Sequence, residues 1–507
     1  MTQPATPGPL DEQHGLKRAL TALTNGALTF AGVGVFGGLM SLYGFSMSAA
    51  GPAMFWGWPV TLISVGALVL VFSQLASHFP FAGSMYQWPS QLAGKRVGWA
   101  IGWIYAGAMF PLMTAYCASL PVIVKPLFGW SDSFTLDRNI IIFAMAFALF
   151  WNLLKVGFLG KLAEWGMILE IVVATGIILT VFVLGPKDFG ALTDMSRVVT
   201  DGSGSAAVEA MSFGQWLPAL FGGGIFVSYW VLYTFENGGT LGEETKDASR
   251  NAPRGIIGAF IFVAICGALF LMCLTTSLPD TAKAMLTGAP AQEAIGLHLP
   301  GWTVKLFLAI VAEGLLIATS TMFAGATRHI FGMSRDNQLP FARVWTRTTK
   351  DGSPWAASLL VAFLGLAPVF VFTTNTASMV GGATAAMYVS YFLVTVVVLW
   401  SLLRGWPHRR AHFNLGGWNI PVTLVALVGT GATALNLLWP RASTNPNFDQ
   451  ISGTVTDSLF RHIPMGWYIV GVPMIIGVFY YVVRLRKVTE PRDKSSHQVP
   501  EAELINE

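Results

Sequence analysis

Apolar residues in this chain come in long unbroken runs, without the alternation of a half-buried strand or the one-sided spacing of a soluble helix. Twelve runs stand out, at 27–48, 54–78, 97–124, 138–157, 162–185, 217–241, 254–277, 303–332, 355–374, 378–403, 418–438 and 465–486. A run of roughly 20 such residues spans a hydrocarbon core. Every backbone polar group in lipid needs an internal partner, so runs this long predict helices, and a barrel would show alternation. The pattern predicts an all-α integral membrane protein with 12 transmembrane helices. Residues 1–26 read as a polar N-terminal tail, 27–486 as one transmembrane domain and 487–507 as a charged C-terminal tail.

Composition agrees. The 507 residues are 53% hydrophobic and 11% charged, against roughly 25% charged for a soluble domain. The apolar run after residue 26 is too long for a cleavable signal peptide and has no small-residue cleavage site behind it. Cys117, Cys266 and Cys273 lie inside predicted helices without metal-ligand spacing and read as small packing residues. Stretches 186–216, 278–302 and 439–464, rich in Gly, Ser, Thr, Asn and Pro, read as external connectors.

Charge then sets an orientation, because Lys and Arg accumulate on the cytoplasmic side. With both termini cytoplasmic, most of the 30 lysines and arginines fall inside. They include Lys17, Arg18, Lys155, Lys161, Arg250, Arg254, Arg328, Arg335, Arg409, Arg410, Arg486, Lys487, Arg492 and Lys494. The net charge of +4 is therefore topogenic and gives no reason to expect nucleic acid.

Two runs carry interruptions. In "GVGVFGG" the glycines at 32, 34, 37 and 38 each lower helix propensity by about 1 kcal/mol relative to Ala. Unwound backbone there could hold a zwitterion, with a half-helix N-terminus facing its carboxylate and free carbonyls facing its ammonium. The same glycines could equally serve close helix packing. In "YTFENGG", five helices later, Glu236 lies deep in an apolar run, where a carboxylate costs at least about 2.5 kcal/mol and normally faces a cavity or a partner. It is either part of a substrate site or a structural carboxylate that caps broken backbone.

The residues at this point resemble the amino acid, polyamine and organocation transporter superfamily, in its amino acid and choline transporter branch. The best matching piece is "FENGGTLGEETKDASRNAPRGI" at 235–256. Also similar are "MSLYGFSMSAAGPAMFWGWPV" at 40–60, "LASHFPFAGSMYQWPSQL" at 75–92 and "RHIFGMSRDNQLPFARVWTR" at 328–347. The resemblance implies a LeuT-like inverted repeat of five plus five helices with helices 1 and 6 broken and two helices appended. It further implies transport of an amino acid or related amine by alternating access. On it, the unwound part of the first helix falls on Gly34, Val35, Phe36, Gly37 and Gly38, and that of the sixth on Phe235, Glu236, Asn237 and Gly238. Trp230 takes the place of an aromatic gate over the substrate, or is a packing residue. The chain departs from the family pattern at Gln74, commonly acidic, and at Gly83-Ser84, usually Gly-Gly.

Glu170 in the fifth run is the best candidate proton site, because a carboxyl withdrawn from water is costly in its charged form; an interhelical hydrogen bond is its other reading. Glu313 is a second intramembrane carboxylate. Thr319, Ser320 and Thr321 could ligate sodium or bond to their own helix backbone. Tyr105, Met109, Tyr388 and Tyr391 sit at plausible depth for a pocket. No cluster of catalytic or metal-binding residues appears, so the chain reads as a permease without cofactor or metal and not as an enzyme. Its expected partners are the substrate, protons and the lipid bilayer. The region 79–96 lacks the basic loop of a major-facilitator protein. A sensor with a transporter fold remains the alternative.

Overall fold

Apolar runs that must satisfy their own backbone produce helices almost throughout. The computed structural model describes residues 18–154, 156–200, 205–350, 352–371, 376–408, 411–440 and 465–485. The outer tail residues 1–17 and 486–507, Lys155, Arg409, Arg410 and most of the 439–464 loop lie outside the described residues. In chain order come α1 (Ala22–Val33), α2 (Val35–Ala50), α3 (Gly57–His78), α4 (Ser84–Ala93), α5 (Lys95–Phe128), α6 (Phe134–Leu153), α7 (Val156–Leu169) and α8 (Thr175–Leu184). A hairpin of β1 (Ser196–Thr200) and β2 (Ala206–Ala210) precedes α9 (Phe213–Ala219), α10 (Phe226–Val231), α11 (Asn237–Thr240) and α12 (Ala248–Thr276). Then follow α13 (Thr281–Thr287), α14 (Pro290–His298), α15 (Gly301–Arg335), α16 (Ala342–Trp345), α17 (Trp355–Val371), α18 (Thr376–Leu403), α19 (Asn419–Leu438) and α20 (Met465–Tyr480).

Ten stretches among the described residues are long and apolar enough to cross a membrane. The other two expected runs differ. Residues 217–241 are divided among α9, a π-helical turn at Leu220–Gly224, α10, an irregular segment and α11. Three consecutive glycines and Pro218 in that run weaken a single helix. The run expected at 355–374 is the 17-residue α17. The first helix begins at Ala22 and not at 27, with Thr21 capping it by accepting from the Thr24 N–H.

The expected connectors carry structure of their own. β1 and β2 pair antiparallel, with Ser196 opposite Ala210. The Asp194 carbonyl accepts from the Ala53 N–H at 3.0 Å, and Trp56 Nε1 donates to the Leu192 carbonyl at 3.0 Å. The 278–302 stretch folds into α13 and α14.

Helices sort into inner and outer layers. Of their most apolar windows, 83% is buried for α1–α2, 78% for α15 and 72% for α5, against 22% for α7–α8 and 17% for α20. The inner layer therefore surrounds the first interrupted helix, while the outer helices turn most of their surface toward lipid.

Paired charges lock the end of the bundle at which the described chain begins. Ala19 and Leu20 N–H groups both donate to the Glu244 carbonyl at 2.9 Å, and the Lys246 N–H donates to the Leu20 carbonyl at 2.9 Å. Arg328, expected among loop charges, is instead buried in α15, where Nε and Nη2 donate to Glu244 at 3.0 and 3.1 Å. Arg335 makes a similar fork to Glu243, at 3.1 and 2.9 Å, while Glu243 also accepts from the Ala82 N–H. Tyr86 donates to Asp336 at 2.7 Å. Bidentate pairing is what makes the Glu244–Arg328 burial tolerable, since either charge alone would be strongly unfavourable there. Replacing Arg328 with Ala is expected to destabilise the fold by about 3–5 kcal/mol. Thermal unfolding of the detergent-purified protein checks this, with the Glu244→Gln, Arg328→Gln double variant expected to recover part of the loss.

Candidate functional site

The first break is a single residue. Gly34 has φ 60° and ψ 52°, a left-handed conformation in which a Cβ is costly, and it closes α1 through its N–H to the Ala31 carbonyl at 2.9 Å. Helix resumes at once, with the Gly38 N–H donating to the Gly34 carbonyl at 2.8 Å. Val35, Phe36, Gly37 and Gly38, expected to be unwound, are thus the first turn of α2. One left-handed residue is enough to end one helix and start the next, so the remaining glycines serve packing. A Cβ on Gly38 would fall 2.9 Å from Val231 and 3.2 Å from the Trp230 ring. Gly34 offers no side-chain cap to the first turn of α2, the turn in which a helix start leaves N–H groups without intrahelical partners.

The second break is longer and begins earlier than expected. α10 ends at Val231, residues 232–236 are irregular with Thr234 at φ 65°, and Asn237–Thr240 form one turn of helix. Phe235 and Glu236 therefore lie in the break, whereas Asn237 and Gly238 lie just past it. All four are buried.

Glu236 ties this break to two other helices. Its Oε1 accepts from Tyr105 of α5 at 2.7 Å and its Oε2 from Tyr391 of α18 at 2.8 Å. The Tyr391 hydroxyl in turn accepts from the Thr234 N–H at 3.0 Å, and Tyr388 donates to the Leu232 carbonyl at 2.8 Å. Three tyrosines thus replace the helical partners the break has lost. Below it, Ser84 and Thr240 share a hydrogen bond of 2.6 Å, and Asn25 donates to the Gly238 carbonyl at 2.9 Å. Each Glu236 oxygen thus accepts from one tyrosine hydroxyl, and the carboxylate braces the break.

The two breaks meet. Tyr116 of α5 donates to the Gly32 carbonyl at 2.7 Å, and its hydroxyl lies beside those of Tyr233 and Thr234, which close no regular hydrogen bond. Trp230 packs on Tyr116 with centroids 5.2 Å apart and on Tyr233 at 5.3 Å, directly over Gly38. Asn237 Nδ2 reaches the Thr321 carbonyl of α15 at 3.5 Å. The Trp230 and Tyr233 carbonyls accept no hydrogen bond among the described residues. The start of α2 and the carbonyl-bearing second break therefore border one aromatic cluster, and a helix N-terminus there suits a negative group.

Glu170 is not brought to the breaks. It opens a π-helical turn, Glu170–Ala174, and lies buried against Gly314 of α15, where a Cβ would clash with its Oε1. That oxygen has no hydrogen-bond partner. Glu313, the next residue along, lies over Gly166 of α7, and its Oε2 is likewise unpartnered. Ala318, which faces Gly34, is one turn of α15 away from Gly314. Among the hydroxyls considered for sodium, Thr319 and Ser320 donate to the Leu315 and Leu316 carbonyls of their own helix, and Thr321 Oγ1 is buried without a partner. Glu164 accepts from Thr24 across helices.

Sequence reasoning passed over Tyr116 and the bracing role of Ser84. Tyr116 could have been noticed as a second tyrosine at mid-helix, three turns beyond Tyr105. Ser84 was visible only as a departure from the family pattern.

The comparisons agree with this architecture. The family described as Amino acid permease matches residues 19–456. An amino-acid permease BAT1 homolog of Oryza sativa subsp. japonica is 24% identical, covering 90% of this chain and 89% of its own. The branched-chain amino acid permease BcaP of Lactococcus lactis subsp. cremoris is 22% identical over 67% of this chain and 74% of its own. A thiamine transporter, thi9, of Schizosaccharomyces pombe is 23% identical over 82% of this chain and 76% of its own. With the match running through both helix breaks and the charge cluster beneath them, the chain belongs to the amino acid permease family.

Proposed function

We propose that this protein is a secondary active transporter that moves an amino acid or related amine across the cytoplasmic membrane by alternating access. In this reading the chain has twelve spans, with 217–241 crossing as a broken helix and 355–374 as a short one. The first ten form the LeuT-like five-plus-five inverted repeat, and both termini are cytoplasmic. The observation behind the substrate class is that the start of α2 at Val35, Phe36 and Gly37 borders the same aromatic cluster as the Trp230 and Tyr233 carbonyls, which accept no hydrogen bond among the described residues. The amides, at the positive end of α2, take the substrate carboxylate, and the carbonyls take its ammonium. Phe36, Gly38, Phe235 and Trp230 line the space between, with Trp230 moving as the gate. Asn237 and Gly238 set the far edge. Glu236 holds the break open through Tyr105 and Tyr391 and does not bind the substrate itself. Relatives named as amino-acid permeases support the substrate class, and one named a thiamine transporter keeps amines within it.

The drive in this reading is a proton, taken up at Glu170. Glu170 and Glu313 each keep a carboxyl oxygen without a hydrogen-bond partner, and Gly314, against which Glu170 lies, is one turn of α15 from the contact with Gly34. Protonation there changes how α7–α8 packs on α15, which in turn bears on the first break.

Uptake of labelled amino acids, GABA, choline and polyamines into proteoliposomes tests the reading, with imposed proton or sodium gradients and with internal unlabelled substrate. Gradient- or exchange-driven uptake of a member of the panel is expected, and specific binding with no flux under any condition would overturn it. In Gly37→Leu, where a Cβ would meet Leu315 at 3.1 Å, binding should fall to background while the protein remains monodisperse in detergent. In Glu170→Gln, uptake driven by an inward proton gradient should fall to its gradient-free level while exchange persists. Proton-driven uptake undiminished in that variant would remove Glu170 from the mechanism.

A further inference from the structure

A second polar site lies away from the helix breaks, at the end of the bundle that holds the Glu244–Arg328 pair. A cavity of about 500 Å³ is lined by Arg250, Pro253, Arg254 and Ile257 of α12 and by His412 and Phe413 of the segment before α19. Its far wall is built, not incidental. Ser77 Oγ accepts from the Phe413 N–H at 3.0 Å, Gln74 Oε1 accepts from the Leu415 N–H at 2.9 Å, and Ser249 meets His412 Nδ1 at 3.2 Å. Ser77 and Ser249 also bond each other's carbonyls at 2.7 Å. The segment is thereby held against α3 and α12 at a fixed distance.

The cavity's charge is uncompensated. Among the described residues the Arg250 and Arg254 guanidinium groups form no ion pair and no hydrogen bond. Lys246 adds a third cation to the same stretch against the exposed Asp247. The arginines stand one turn apart at the start of an apolar span, where a membrane headgroup region begins. Ile257 continues their line into Ile261 and Ile265, four residues apart each time and therefore on one face. Ile261 and Ile265 are half exposed, and the stripe runs about 12 Å toward the bilayer interior. A free anion would use the arginines alone, whereas a lipid uses both the cationic mouth and the apolar stripe.

We infer that this cavity binds the phosphate headgroup of an anionic phospholipid, with Arg250 and Arg254 on the phosphate and an acyl chain along Ile257, Ile261 and Ile265. The lipid bridges the start of α12, just beyond the second helix break, to the segment leading into α19. Planar guanidinium groups suit a phosphate by presenting paired donors, and basic pockets between membrane helices take such headgroups.

Full-length protein purified in detergent and stripped of lipid tests this with dioleoyl phosphatidylglycerol, dioleoyl phosphatidylcholine and inorganic phosphate, read by thermal shift and by native mass spectrometry. Phosphatidylglycerol should stabilise and remain bound, while phosphatidylcholine and inorganic phosphate should do neither. The Arg250→Ala, Arg254→Ala double variant should bind phosphatidylglycerol about 30-fold more weakly. If that variant cannot be recovered folded, Arg254→Gln alone, at an exposed position, reads the same difference. Equal stabilisation by phosphatidylcholine, an equal shift with inorganic phosphate, or unchanged phosphatidylglycerol binding in the variants would each overturn the assignment.

Discussion

A backbone that leaves the helix inside an apolar bundle loses its helical hydrogen bonds, and the structure is arranged around replacing several of them at residues 232–236. The replacements come from side chains on distant helices: Tyr388 on the Leu232 carbonyl, Tyr391 on the Thr234 amide, and Tyr105 with Tyr391 on the Glu236 carboxylate. Because each tyrosine is a long lever rooted in α5 or α18, the break can hold this shape only while those helices keep their positions. A movement of α18 would alter the break, and a change at the break would load α18.

Glu236 shows how cost and use coincide. A carboxylate without partners would be strongly unfavourable at this depth, yet with two hydroxyl donors it becomes a bracket between three elements. The same logic recurs at the charge cluster, where Glu244 is fixed by Arg328 and Glu243 by Arg335. Buried charge in this protein joins segments that are far apart in sequence. The Glu170 and Glu313 carboxylates differ, since each retains an oxygen without a partner.

The two breaks also differ in kind. At Gly34 the interruption costs a single left-handed residue, and the new helix starts at once. At 232–236 five residues depart from the helix, which frees carbonyls as well as amides. A ligand with a compact anion and a compact cation, a few bonds apart, matches that division better than a purely cationic or purely apolar one. Aromatic rings at Trp230, Tyr116 and Tyr233 close the space between the breaks.

What the sequence determined by itself was the class of the fold and the location of its irregularities. Long apolar runs can only be helices in lipid, and glycines or a carboxylate inside such a run mark disruption, so Gly34 and Glu236 were legible from the chain alone. The extent of each break was not. Whether Val35–Gly38 coil or unwind depends on whether one left-handed residue suffices, and how Glu236 is held at this depth depends on which donors reach it. Those donors, Tyr105 and Tyr391, lie 131 and 155 residues away. The pairings of Arg328 with Glu244 and of Ser84 with Thr240 were hidden for the same reason. Hydrophobic periodicity reports how a segment meets its solvent, but it carries no information about which distant side chain will satisfy a buried polar atom. Only the packed tertiary structure decides that.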